Sequence, residues 1–140
     1  MTEHFRPAMQ LTHQAVLVML QAAVAKAEEI GQPQCVVVVD ASGEVLGEIK
    51  MNGAKFLSRK SAKTKAQTAA SINGPSNAIP EDFRAPIAAA TQNSVTGIGG
   101  GLPIRKDGFL AGAIGVGSGS ADQDIAVGTA ALEAIGADAL

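Results

Sequence analysis

Residues 95–124 read VTGIGGGLPIRKDGFLAGAIGVGSGSADQD, and nearly a third of them are glycine. Three structures use glycine this densely: a flexible linker, a loop that cradles phosphate, and a sheet that bends sharply or is closely approached. A linker would not carry the Ile, Leu, Val and Phe found here. No GK[ST] follows the glycines, and no GxGxxG opens a helix after a parallel strand, so the nucleotide motifs are absent. Asp107-Gly108 stands between two apolar runs, which is a hairpin signal. The stretch therefore predicts a β-hairpin of Leu102–Arg105 and Phe109–Val116. Ser120 and Gln123 then form an S-x-x-Q capping box, with Asp122 and Asp124 in the first turn of a helix that runs to about Ile135.

Upstream, LTHQAVLVMLQAAVAKAEEI over residues 11–30 places Val16, Leu20, Ala23 and Ala27 at helical spacing. Thr12 is the expected N-cap, and Gly31 with Pro33 end the helix. CVVVVD over residues 35–40 is short and β-branched and reads as a buried strand. ASGE turns the chain, and VLGEIKM over 45–51 returns beside it. FLSRKSAKTKAQTAASI over 56–72 predicts a second helix bearing Arg59, Lys60, Lys63 and Lys65. Residues 73–93 read as loop or short helical pieces, with Pro75, Pro80 and Pro86 as breakers and a short helix turn in APIAAATQN. Two hairpins, with Ser94–Ile98 as a fifth strand, make a mostly antiparallel sheet in an α+β domain.

Composition sets limits on function. The chain has 140 residues, which favours one domain spanning 1–140 with residues 1–9 flexible. It has no Trp or Tyr, a net charge of −2 and no evident basic face, so nucleic acid is not the expected partner. The single cysteine, Cys35, forms no intrachain disulfide and reads as a buried strand residue. MTEHFRPAMQ lacks the apolar core of a signal peptide, and no segment reaches membrane-spanning length. The expectation is a cytoplasmic protein with no membrane partner.

Several segments together carry a resemblance. The LT-x-x-A helix start, VVVVDASGEVLGEIKMNGA, SAKTKAQTAA and GGGLPIRKDGFLAGAIGVGSGSADQD are similar to the GlcG/HbpS family of haem-degrading domains. The C-terminal domain of PduO-type adenosyltransferases belongs with that family. The resemblance covers residues 9–136. It implies a profilin-like fold, with a five-stranded antiparallel sheet between helices on both faces, and a homo-oligomer. It also implies haem or another small-molecule ligand, with a histidine near the start of the chain as iron ligand. His13 is the candidate, with Phe5, Met9 and Met19 as apolar walls.

A second reading is a small enzyme of a catabolic pathway. In SAKTKAQTAA, Lys63 and Lys65 fall on different helix faces, so one of them should point inward and need a partner, with Asp40 and Glu48 as candidates. Lys65 is the candidate acid/base or anion anchor. A carboxylate would sit on the amides of Gly117, Ser118, Gly119 and Ser120 at the start of the last helix. Gly99, Gly100 and Gly101 are a further candidate turn, and Arg105 a rim or interface cation.

Overall fold

The computed structural model describes residues 3–140. Its elements are α1 (His13–Glu29), β1 (Cys35–Asp40), β2 (Val45–Lys50), α2 (Leu57–Ile72), a 3-10 turn at Ser76–Ala78, α3 (Glu81–Ala90), β3 (Gly101–Lys106), β4 (Phe109–Gly117) and α4 (Ala121–Ala134). The strands form one antiparallel sheet in the order β2-β1-β4-β3.

Alternation along β1 builds both cores. Val36 and Val38 face α1 and α4, where they meet Met19, Ala23, Ile104, Ile114, Val127 and Leu132. Cys35, Val37 and Val39 point the other way, against Ala62, Ala66 and Ala69 of α2. A central strand buried on both sides is continuously apolar, which is why CVVVVD shows no polar alternation. The first core carries large side chains, each worth about 1.5–3 kcal/mol when removed from water. The second is built of alanine and glycine, so α2 lies almost directly on the sheet. A Cβ added at Gly115 would stand 1.9 Å from the carbonyl oxygen of Ala62, and one at Gly101 would stand 2.1 Å from that of Lys65. Side chains there would lift the helix off the strands.

The caps and turns follow the sequence. Thr12 Oγ1 accepts from the Ala15 amide at 3.1 Å. Ser120 and Gln123 close a reciprocal capping box on α4. Asp107 and Gly108 both have positive φ, 53° and 83°, as a two-residue hairpin loop of the primed kind requires.

The expected five-stranded sheet is corrected to four strands. Ser94–Ile98 does not pair with a strand. Its amides turn to local acceptors instead: Thr96 N donates to Thr68 Oγ1 at 2.9 Å and Ile98 N to Thr96 Oγ1 at 3.2 Å. Ile98 O accepts from Ser76 Oγ at 2.6 Å. The segment is thus tied to α2 and the 3-10 turn, and β3 remains the sheet edge. Where loop or short helical pieces were expected, the chain forms a ten-residue helix, α3; Pro86 lies within it, and none of its residues is buried. The α+β class and helices on both faces stand.

Candidate functional site

The start of α4 is densely wired. Lys65 is the inward-facing lysine of α2 and is only 4% exposed. Its Nζ donates to Val116 O at 2.8 Å and to Asp124 Oδ2 at 2.9 Å. Its partner is therefore Asp124, not Asp40 or Glu48. Asp40 instead caps its own turn through Ser42 and Glu44, and Glu48 pairs with Arg59 at 2.6 Å. Asp124, 2% exposed, uses its other oxygen to accept from the Gly119 amide at 3.1 Å. The Ser120 amide donates to Gln123 Oε1 at 2.9 Å.

Ser118 is also engaged. It holds φ at 102°, rare for a residue with a side chain. Its Oγ accepts from the Lys55 amide at 2.8 Å and its carbonyl from Gln32 Nε2 at 3.1 Å. Gly117 belongs to β4 and pairs with Cys35. The residues expected to hold a carboxylate are thus brought together, with Gly119 and Ser120 bonded by the chain's own side chains. The arrangement fastens α2, β4 and α4 to one another. Beside Gly119 lies Gln34, fully buried, with neither amide atom hydrogen-bonded.

Gly100 and Gly101 form the entry to β3. Gly100 has φ 121°, and a Cβ there would meet Val116 O at 2.7 Å, Lys65 Nζ at 3.0 Å and Asp124 Cβ at 3.1 Å. Gly101 N donates to Ser76 Oγ at 2.9 Å. Gly99 lies against Asn77 and Ala121. Arg105 donates from Nε to Asn73 Oδ1 at 2.6 Å and from Nη2 to Asn73 O, so it secures the left-handed C-cap of α2. Burial pushes the Cys35 thiol up, which suits its place inside β1.

His13 occupies different ground. It is the first residue of α1 and is exposed. Residues 13, 17, 20 and 24 recur at helical spacing and share one face of α1. Leu17, Leu20 and Val24 line a cleft of about 420 Å³ whose other wall is Glu48 and Ile49 on β2, with Gln21 and Glu28 as polar members of the same lining. Leu17 is 60% exposed, so this face is apolar and open. A Cβ at Gly47 would come within 2.7 Å of Val16 Cγ1, so glycine there lets α1 sit close against β2. The expected walls divide. Met19 is wholly inside the core and lines no surface pocket, while Met9 lines a neighbouring cleft of about 400 Å³ with Leu11, Leu46 and Ala111. Phe5 is largely exposed.

The residues missed by sequence reading are Leu17, Val24 and Ile49. The signal for Leu17 and Val24 is a second apolar stripe on α1, beside the buried one of Val16, Met19 and Ala23. Among the described residues no cluster of three or more His, Cys, Asp or Glu is placed to hold a bare metal ion. No described helix is long and apolar enough to cross a membrane.

Comparison with known proteins agrees with this architecture. The corrinoid adenosyltransferase PduO of Citrobacter freundii is 31% identical over 134 residues, 92% of this chain and 40% of that protein. The chain thus spans about two fifths of that relative's length. The crystal structure of Klebsiella pneumoniae protein ORFY superposes with a TM-score of 0.91 at 26% identity, covering 99% of both chains. A crystal structure described as a PduOC:heme complex gives a TM-score of 0.86 at 27% identity, over 93% of this chain and 98% of that one. A family model described as "Haem degrading protein HbpS-like" matches residues 11–133, so the chain belongs to the HbpS-like family.

Proposed function

We propose that this protein binds haem or a related tetrapyrrole on the exposed face of α1, with His13 as the iron ligand. The observation that carries the reading is one helix face that joins an exposed imidazole to an open apolar cleft. A flat, largely apolar macrocycle needs a wall of that kind, and its iron needs a neutral nitrogen donor nearby. Leu17, Leu20, Val24 and Ile49 would hold the ring, and His13 stands one turn before Leu17. The relative whose structure is described as a heme complex supports the same ligand class.

The cleft is open on its outer side, so self-association over the α1–β2 face belongs to this reading. A second copy would bury Leu17 and Ile49 and close the pocket.

Metal-free protoporphyrin IX separates the wall from the iron ligand. Leu17→Glu and Ile49→Glu are expected to weaken both protoporphyrin IX and hemin at least tenfold in fluorescence-quenching titrations. His13→Ala is expected to weaken hemin alone. Unchanged affinity in both wall variants would overturn the placement.

A further inference from the structure

α2 carries four cations, Arg59, Lys60, Lys63 and Lys65, and no acidic residue between Leu57 and Ile72. Two of them are accounted for: Arg59 pairs with Glu48 and Lys65 with Asp124. Among the described residues, Lys60 and Lys63 have no ion-pair partner. Both line one cleft of about 570 Å³ between α2 and residues 88–98, and no Asp or Glu lines it.

The opposite wall is held in place and supplies polar groups. Gln92 and Asn93 adopt left-handed φ values of 55° and 66°, turning the chain back toward α2. Asn93 N donates to Ala88 O at 2.7 Å, and Thr96 N donates to Thr68 Oγ1 on α2 at 2.9 Å. The side chains of Asn93 and Ser94 line the cleft, and within the described residues neither makes a hydrogen bond. Leu57, Val95 and Ile98 add apolar surface to the same lining.

We infer that this cleft binds a small organic dianion, held by Lys60 and Lys63 with Asn93 and Ser94 as hydrogen-bonding groups. Two like charges one turn apart on a helix repel, and a bridging dianion relieves that repulsion. The chain's net charge is −2, so the cations here are a local concentration and not part of a general basic surface. The apolar wall favours a carbon skeleton carrying two carboxylates over a bare inorganic anion. This site is separate from the α1–β2 face and does not depend on the tetrapyrrole reading.

Succinate is the probe, followed by ¹H–¹⁵N correlation spectra, with succinamide and inorganic phosphate as controls. Saturable shifts are expected at the amides of residues 60–67 and 92–98 with succinate and not with succinamide. Lys60→Gln/Lys63→Gln should weaken succinate at least tenfold and leave hemin binding unchanged. Both lysines are exposed, so the double variant should fold as the parent does. No saturable shift with succinate, equal shifts with succinamide, or unchanged affinity in the double variant would overturn the assignment. Phosphate binding as tightly as succinate would overturn the organic-acid class.

Discussion

Replacing Lys65 by Met keeps an unbranched side chain, one atom shorter, and removes its charge. It leaves the Asp124 carboxylate, 2% exposed, with only the Gly119 amide as a partner. It also deletes the 2.8 Å bond to Val116 O. Removing one member of a buried ion pair typically costs about 3–5 kcal/mol, because the remaining charge stays desolvated. At this chain length each kcal/mol corresponds to roughly 2–5 °C, so Lys65→Met should lower Tm by about 6–25 °C. Asp124→Leu should cost a comparable amount by stranding the ammonium. The double variant should fall within about 2 kcal/mol of the parent, since replacing a whole buried pair with apolar groups is often close to neutral. Urea unfolding of the four proteins at pH 7 gives the coupling energy directly. Single substitutions each costing less than about 1 kcal/mol, or a double variant equal to the sum of the singles, would refute the reasoning.

Other expectations follow from single contacts. Gly115→Ala places a Cβ against the Ala62 carbonyl and should cost about 1–3 kcal/mol or more, measured by urea unfolding, because a backbone oxygen cannot rotate aside. Gln34→Met removes a buried amide with no hydrogen bond; thermal unfolding should show equal or higher stability. The Asp138 carboxylate is held below its ordinary pKa by the Gly108 amide at 2.8 Å and the Asp107 amide at 3.0 Å. Its folded pKa is the lower one. Its contribution is therefore full above the unfolded value and fades as pH falls through the folded one. A carboxyl-carbon NMR titration should place Asp138 below a model aspartate, and Asp138→Asn should abolish that share of the acid dependence of stability.

Much of the fold was legible because local chemistry and tertiary packing agree. Thr12, Asp107-Gly108 and the Ser120/Gln123 box each satisfy backbone groups within a few residues, so their sequence signals needed no distant partner. CVVVVD is legible as a buried strand for a different reason: an unbroken β-branched run fits an element covered by packing, whatever its partners. The fifth strand failed because Ser94–Ile98 is governed by Thr68 and Ser76, hydroxyls distant in sequence that nothing local reveals. α3 was hidden by Pro86, which reads as a breaker although the helix accommodates it. At the site, the helical period showed that either Lys63 or Lys65 must face inward, but not which acid would meet it. Asp124 was read only as a favourable charge near a helix dipole, and it is also a buried ion-pair partner. The open face of α1 is hard to read from sequence because Leu17 and Val24 sit between members of the buried stripe and carry the same apolar character.

The proposed function turns on His13 as a haem-iron ligand beside an apolar wall. It is tested most directly by titrating hemin into the protein and into His13→Ala while recording the Soret band. A saturable Soret shift is expected with the parent protein and no shift with His13→Ala. A parent protein that leaves the hemin spectrum unchanged, or a variant that reproduces the full shift, would contradict it.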